Sequence, residues 1–262
     1  MQIYIVDDAL GAAELSAQLI MEAVVDEGAR NLGFATGQTM VPVYEKLIKL
    51  VARGNVDMSR AAWRTFNLDE YVGLSGQHPG SFRYFMEHHL FQPLNLEPGQ
   101  THFLNGLAQD LEAECLRYEN VLHAHPLDLQ VLGLGINGHI GFNEPGTPWD
   151  SRTHRVRLSA ATKSQNRDSF PGAMPQEALT MGIRSIADAT RILLVAIGGH
   201  KAEAVYRAAG GAKTVDCPAS ALQDHPHVRL VVDRAAAQLL LSDGQSGAHA
   251  EVIHVRPAMG GG

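Results

Sequence analysis

The chain has 262 residues, of which 45% are hydrophobic and 19% charged, so it can bury one large core or two small ones. No apolar run approaches the roughly 20 residues that span a bilayer, and the formal net charge of −7 argues against a nucleic-acid partner. Cys115 and Cys217 form no spacing motif, so we predict neither a disulfide framework nor a zinc site. The amino terminus lacks a signal-peptide pattern, so we predict a cytoplasmic protein.

Strand and helix patterns alternate along the chain. Short apolar runs indicate strands, and apolar residues at helical spacing indicate helices. In chain order the predicted elements are strand Gln2–Val6, helix Leu10–Glu27 with Asp7 or Asp8 as its cap, strand Asn31–Ala35, helix Val43–Val51, strand Ala61–Leu68, helix Ser81–Leu90, helix Glu112–His123, strand Leu129–Leu134, strand Ile192–Ile197, helix Ala202–Ala209, strand Val228–Val232 and helix Arg234–Leu241. This alternation predicts an α/β fold. We expect residues 1–241 to form one domain and the glycine-containing residues 242–262 to form a poorly ordered tail.

A glycine-rich, polar segment follows the central strand. Residues 131–146 read VLGLGINGHIGFNEPG, so a buried strand runs into three glycines and a group of polar side chains. Open α/β sheets bind ligands at the carboxyl ends of their strands. His139 can exchange a proton near neutral pH, and Glu144 is the type of partner that fixes an imidazole tautomer. A histidine held by a carboxylate for structural reasons explains these residues equally well when they are taken alone.

Two further loops carry signals for anion binding. TGQT (Thr36–Thr39) lies between a strand and a helix, an arrangement that directs unpaired N–H groups at an anion. GGHK follows another strand and places Lys201 in the first turn of the next helix. The alternatives are an ordinary turn capped by Thr39 and an exposed surface lysine.

Acidic and basic residues mark two other stretches. Asp69 and Glu70 end the third predicted strand, and because neighbouring strand residues point opposite ways, only one of them can face a pocket directly. Six basic residues lie between Arg152 and Arg167. They form either a solvated surface or an anion clamp.

Several motifs together resemble one known family. LGFATGQT, TFNLDEYVGL, HPGSFRYFM, GLGINGHIGFNEPG, SRTHRV, ALTMGI, GGHKAEAV and CPASAL occur in this order. Over roughly residues 30–234 the chain closely resembles the glucosamine-6-phosphate deaminases. The 6-phosphogluconolactonases share the strand and the Gly-His pair but lack the FNEP continuation. The resemblance implies a three-layer αβα sandwich with a mostly parallel, Rossmann-like sheet.

The resemblance also implies roles for particular residues. It assigns the base that removes the C2 proton to Asp69 and the ring-opening group to His139, with Asn137 and Glu144 in support. The phosphate ligands that it implies are Thr36, Gly37, Gln38, Thr39 and Lys201. The family's phosphate-binding arginine aligns with Asp168 here, so Arg167, one residue earlier, is the candidate for that role.

The implied reaction converts D-glucosamine 6-phosphate and water to D-fructose 6-phosphate and ammonia. It needs no metal and no cofactor, and the expected partner is a small phosphosugar, bound by a monomer or a homo-oligomer. The alternatives are a galactosamine-6-phosphate deaminase, a 6-phosphogluconolactonase, and a sensor that binds a sugar phosphate without turnover. His154 and Val156 stand where the allosteric members of the family carry basic residues, so we predict no allosteric activation. The alternative is that Arg155 and Arg157 substitute for those residues.

Overall fold

The computed structural model describes residues 1–54, 56, 63–159, 162–163, 170, 172–242 and 251–255. The strands are β1 (Gln2–Val6), β2 (Asn31–Phe34), β3 (Arg64–Asn67), β4 (Asp69–Tyr71), β5 (Thr101–His102), β6 (Leu129–Gly133), β7 (His154–Arg157), β8 (Glu177–Thr180), β9 (Ile192–Ala196), β10 (Val228–Asp233) and β11 (Glu251–His254). The helices are α1 (Ala9–Val25), α2 (Met40–Arg53), α3 (Phe82–Met86), α4 (Leu111–Ala124), α5 (Ile183–Ala187), α6 (Ala202–Ala209) and α7 (Gln238–Ser242). Shorter helical turns lie at Glu87–Phe91, Pro98–Gln100, Gly199–Lys201 and Pro218–Asp224.

Eight of these strands form one sheet, in the order β11-β1-β10-β9-β6-β2-β3-β5, and all neighbours in it are parallel. Parallel strands must be joined by crossover connections, and helices in those connections cover the sheet. The central strand β9 is buried along its whole length. The predicted α/β sandwich with a mostly parallel sheet is confirmed.

Local signals explain where the helices begin. The Asp8 carboxylate accepts a hydrogen bond from the N–H of Gly11 at 2.8 Å, so the second of the two predicted caps is the one used. The Ser81 hydroxyl accepts from the N–H of Tyr84 and caps α3. Helix α2 begins three residues before the predicted Val43–Val51, because apolar spacing marks the buried face of a helix rather than its end.

A second, antiparallel sheet in the order β4-β8-β7 was not predicted. Its strands are only three or four residues long, and β7 alternates between half-buried and exposed positions, so no apolar run announces it. The sheet packs on its own small cluster of buried side chains, which are Tyr71, Phe142, Leu158 and Ala178. It places β4, which begins with Asp69, beside the end of β8.

The carboxyl-terminal segment contributes the edge strand β11, which lies parallel to β1 with Glu251 opposite Gln2 and His254 opposite Ile5. The sequence predicted a poorly ordered tail over 242–262, and this strand is a difference from that expectation. Four residues, two of them exposed, present too little alternation to predict a strand. Residues 243–250 and 256–262 lie outside the described part, and the division into a domain of 1–241 and a tail stays a prediction.

The main sheet directs its carboxyl ends toward one side of the molecule, and the predicted polar segments follow four adjacent strands there. In the sheet order β9-β6-β2-β3, these strands lead into the loops before Lys201, around His139, through Thr36 and up to Asp69. Within the described residues, none of the helices is both long enough and apolar enough to cross a membrane.

Candidate active site

A cleft of about 170 Å³ lies at the carboxyl ends of these strands. Four of the predicted segments line it together, namely the loop after β2, the start of β4, the segment after β6 and the segment after β9. The lining residues are Ala35, Thr36, Gly37, Thr39, Leu68, Asp69, Phe82, Gly133, Leu134, Gly135, His139, Gly141, Phe142 and Lys201. The structure therefore brings an acid, an imidazole and an ammonium group to one cavity.

Asp69 and Glu70 point in different directions, as the strand geometry predicted. Asp69 lines the cleft with only 6% of its surface exposed. Glu70 turns away, and its carboxylate accepts hydrogen bonds from the backbone N–H groups of Tyr71, Phe82 and Arg83, which anchors the first turn of α3. Burial, and then the neighbouring charge of Glu70, raises the pKa of Asp69 well above its ordinary value. A raised pKa makes this carboxylate a stronger base than an exposed aspartate.

His139 belongs to a chain of three side chains. Its Nδ1 lies 2.7 Å from the Oδ1 of Asn137, and the Nδ2 of Asn137 donates to the Oε2 of Glu144 at 2.7 Å. Because an amide oxygen only accepts, Nδ1 is the protonated nitrogen of the neutral ring and Nε2 carries the free lone pair. His139 is thus oriented as a proton acceptor.

The glycine at position 135 makes room for the His139 ring. A Cβ at Gly135 would lie 2.3 Å from two atoms of the ring. The backbone N–H of Gly135 also donates to the carbonyl of His139 at 2.9 Å, which closes the loop on itself. This close approach explains the glycine that follows the strand.

Glu144 is held as an anion by hydroxyl groups from another segment. Its Oε1 accepts hydrogen bonds from the hydroxyls of Thr162 and Ser159. Burial raises the pKa of Glu144, but these bonds, together with those from Asn137 and the charge of His139, outweigh burial and lower it. The pKa of His139 is lower than that of an exposed histidine, chiefly because the ring is buried. The charge of Glu144 raises this pKa and the charge of Lys201 lowers it. The imidazole therefore stays neutral to a lower pH than an exposed histidine.

The loop from Thr36 to Thr39 leads directly into α2. Gly37 has a φ of +108°, a conformation that favours glycine. The Thr39 side chain makes no capping hydrogen bond to α2, so the interpretation of this loop as a turn capped by Thr39 is wrong. Gln38 is exposed and does not line the cleft, unlike the other three residues of the loop. The N–H of Met40 already donates to the carbonyl of Gly37 at 2.9 Å, and Pro42 has no N–H, so the groups that face the cleft here belong to the loop residues Thr36, Gly37 and Thr39 rather than to α2.

Lys201 is half-buried at the start of α6, and burial lowers its pKa below its ordinary value. The loop before it is held by Asp233, whose two carboxylate oxygens both accept from the N–H of Gly198 at 3.0 Å. Asp233 also accepts from the N–H of Ala236. Asp233 is not among the predicted site residues, although an acid at the carboxyl end of a strand is the same type of signal that marks Asp69.

The basic stretch near Arg152 behaves as a surface rather than as an anion clamp. Arg152 pairs with Asp188 at 2.6 Å, and Arg155 pairs with Glu177 at 2.6 Å. Both arginines are exposed and neither lines the cleft. Arg167 lies outside the described residues, so its place in the site stays a prediction.

A larger cavity, of about 420 Å³, lies at the opposite edge of the sheet. Its charged side chains are already paired, since Arg191 contacts Glu27 at 2.9 Å and Arg229 contacts Glu22 at 3.1 Å. None of the predicted site residues in the described part of the chain lines it. The larger volume would select that cavity as the candidate site, whereas the grouping of an acid, an imidazole and an ammonium group selects the cleft. We choose the cleft as the candidate active site because these groups are the ones able to transfer protons and bind an anion.

The fold and the cleft define an α/β protein with a cleft at the carboxyl edge of a parallel sheet, in which an acid and a histidine lie together with the loop Thr36–Thr39 and Lys201. The family model described as glucosamine-6-phosphate isomerases/6-phosphogluconolactonase matches residues 8–232. The chain belongs to this family.

Curated relatives extend the match over most of the chain. A glucosamine-6-phosphate deaminase of Listeria monocytogenes serotype 4b is 42% identical over 242 residues, covering 92% of this chain and all of the relative. Glucosamine-6-phosphate deaminase 1 of Giardia intestinalis is 46% identical over 228 residues, covering 86% and 85% of the two chains.

Solved structures agree with the fold. A monomeric glucosamine-6-phosphate deaminase superposes with a TM-score of 0.88 at 40% identity, covering 91% of this chain and all of that one. A 6-phosphogluconolactonase from Leishmania guyanensis superposes with a TM-score of 0.72 at 17% identity, covering 91% and 98%, a likeness of fold alone.

Proposed function

We propose that the protein is a glucosamine-6-phosphate deaminase, which converts D-glucosamine 6-phosphate and water to D-fructose 6-phosphate and ammonia. The observation that carries this proposal is that Asp69, His139 and Lys201 line one cleft. The relatives that are 40% to 46% identical are described as deaminases, whereas the lactonase that superposes is 17% identical. These comparisons favour the deaminase over the lactonase.

The phosphate end of the substrate lies, in this proposal, between the start of α2 and Lys201. Backbone N–H groups of the loop Thr36–Thr39 donate to phosphate oxygens, and the hydroxyls of Thr36 and Thr39 do the same. Lys201 supplies a positive charge that burial makes costly to keep without an anion. Binding a phosphate dianion relieves that cost.

Removing this ammonium group is expected to weaken phosphate binding. K201M should raise the KM for glucosamine 6-phosphate and the Kd for inorganic phosphate by about 10- to 100-fold, the effect of one charge-assisted hydrogen bond. K46M is a matched control, because Lys46 lies on α2 and pairs with Glu14 at 3.7 Å, outside the cleft. Steady-state kinetics and calorimetry with inorganic phosphate measure both quantities. Unchanged values in K201M would contradict the assignment.

Ring opening comes first, and His139 performs it. The free Nε2 lone pair accepts the proton of the anomeric hydroxyl, the bond from C1 to the ring oxygen breaks, and a proton is returned to that oxygen. Asn137 keeps the proton on Nδ1 and cannot carry it to Glu144, because an amide does not exchange protons as a carboxylate does. The anionic Glu144 stabilises the imidazolium that forms.

Isomerisation and deamination follow. Asp69 takes the proton from C2 of the open-chain aldehyde, and the resulting enolamine is protonated at C1, which leaves an imine at C2. Water adds to this imine and ammonia leaves, giving fructose 6-phosphate. Atoms balance with one water consumed and one ammonia released. Burial of Asp69 brings its pKa toward the pH at which a proton must be taken up and given back.

The identity of residue 137 is expected to control the pH dependence. In N137D a carboxylate replaces the neutral amide beside Nδ1 of His139, which stabilises the imidazolium and raises the pKa of His139. Because the ring must be neutral to accept a proton, the acid limb of the kcat/KM profile should move to higher pH. Profiles from pH 5 to pH 9 measure this, with N120D on the exposed face of α4 as the control. An acid limb that stays in place would show that residue 137 does not act through His139.

The direct test is incubation with glucosamine 6-phosphate, with ammonia and fructose 6-phosphate measured together. Equal yields of the two products support the proposal. A panel with galactosamine 6-phosphate and 6-phosphogluconolactone separates the related activities, and tight binding without ammonia release would identify a sensor instead.

We propose that the enzyme acts in the cytoplasm, as a monomer or a homo-oligomer.

A further inference from the structure

One buried side chain contacts both the strand that carries Asp69 and the loop that carries His139. Thr180 is the last residue of β8 and lies opposite Asp69 in the antiparallel pairing with β4. Its hydroxyl accepts a hydrogen bond at 3.1 Å from the backbone N–H of Phe142, three residues after His139. Thr180 is completely buried and does not line the cleft. It therefore touches the strand of the proposed base and the loop of the ring-opening group without being positioned to touch substrate.

Asn143 makes a second connection between the same two elements. Its side-chain amide donates at 2.8 Å to the carbonyl of Ile140 and at 2.8 Å to the carbonyl of Met181. Ile140 follows His139 in the loop, and Met181 follows Thr180 after β8. Asn143 is also completely buried. The loop is thus tied to the end of β8 at two points.

The distance between loop and strand is set closely at Gly141. Its φ of +58° favours glycine, and a Cβ there would lie 2.9 Å from the Thr180 hydroxyl and 3.7 Å from the Oδ2 of Asp69. The loop backbone therefore packs directly over the carboxyl group of Asp69. A shift of this backbone changes the position of His139 relative to Asp69.

We propose that Thr180 is a positioning residue that holds the loop bearing His139 at the correct distance from Asp69. Asn143 supports the same connection through its hydrogen bonds to Ile140 and Met181. This proposal rests on the proposed function, in which Asp69 and His139 act on neighbouring carbons of one sugar. Effective catalysis needs reacting groups placed to within a fraction of an ångström, and a displacement of about 1 Å can cost about 100-fold in rate. Because the hydrogen bond of Thr180 lies outside the cleft, losing it affects turnover rather than substrate affinity.

The test compares three variants. T180V keeps the shape of the side chain but removes the acceptor for the Phe142 N–H, and T180S keeps the hydroxyl. T65V is a matched control, since Thr65 is a buried strand threonine whose hydroxyl bonds the carbonyl of Gln100 away from the cleft. For T180V we expect kcat to fall about 10- to 100-fold with KM within about twofold of wild type. T180S should recover most of the wild-type kcat. T65V should keep the wild-type kcat even if its Tm falls by as much as the Tm of T180V.

Amide hydrogen exchange in residues 135–144 provides a readout that does not depend on turnover. Exchange in this loop should be faster in T180V than in wild type, T180S or T65V. If T180V loses Tm but keeps kcat within about twofold of wild type, or if its loop exchanges at the wild-type rate, the proposal is overturned. If wild type itself releases no ammonia, the proposed function fails, while the exchange measurement still decides whether Thr180 holds the loop.

Discussion

Replacing Asp69 with asparagine is expected to reduce kcat on glucosamine 6-phosphate by at least about 10²- to 10⁴-fold, the usual contribution of a positioned base. Asparagine has nearly the same shape as aspartate but cannot accept the C2 proton. The loop Thr36–Thr39 and Lys201, which are the proposed phosphate ligands, are untouched, so binding of fructose 6-phosphate should stay within a few-fold of wild type. Coupled assays for ammonia and calorimetry with fructose 6-phosphate measure the two effects separately.

D110N is the matched control for this change. Asp110 caps α4 by accepting hydrogen bonds from the N–H groups of Glu112 and Ala113, it is exposed, and asparagine caps helices equally well. It should therefore keep wild-type activity. Appreciable turnover by D69N would refute the assignment of Asp69 as the base, whereas equal losses in D69N and D110N would indicate a general effect of the substitution.

The same variant also has an expected effect on stability. Because the pKa of Asp69 is raised in the folded protein, the native state binds more protons than the unfolded chain once the pH exceeds the ordinary pKa of aspartate. Asp69 therefore destabilises the fold increasingly as the pH rises from that value through its folded pKa. D69N lacks this cost, so its Tm should exceed that of wild type by more at pH 8 than at pH 4. A lower Tm for D69N than for wild type at pH 8 would contradict the burial of the Asp69 carboxylate without a compensating charge.

The sequence was most informative about elements with long apolar patterns. Strand β1 and helix α6 have the predicted bounds, and most of the other predicted elements differ from the structure by a few residues at their ends. The antiparallel sheet was missed because its strands are short and its pairing depends on contacts between distant parts of the chain. β4 and β8 are separated by more than a hundred residues, and nothing local indicates that Asp69 lies opposite Thr180.

The candidate site divides in a similar way. Asp69, His139, Lys201 and the loop Thr36–Thr39 could be identified because polar and charged groups follow apolar strands there, and the resemblance then assigned a role to each. Thr180 could not be identified, since a threonine at a strand end is common and its proposed role comes from distant groups that it meets in the fold, the N–H of Phe142 and the strand of Asp69. Interactions that position the reactive groups are therefore visible only in three dimensions.

Replacing His139 with glutamine is expected to make ring opening the slow step. Glutamine can donate and accept hydrogen bonds but cannot take up the anomeric proton, so kcat should fall by about 10²- to 10⁴-fold. Turnover would then depend on spontaneous ring opening. The kinetic isotope effect of substrate deuterated at C2 should consequently approach unity, although removal of that proton by Asp69 is intact. Initial rates with protiated and deuterated glucosamine 6-phosphate measure the effect.

Two comparisons separate this outcome from a damaged cleft. The open-chain amino polyol phosphate obtained by reducing the substrate needs no ring opening, so H139Q should bind it within a few-fold of wild type. H123Q, at an exposed position of α4, should keep both the rate and the isotope effect. A full isotope effect in H139Q together with a rate near that of wild type would remove His139 from the reaction. Asp69 would then have to act on a ring opened without the help of the protein, and the placement of His139 in the same cleft would need another explanation.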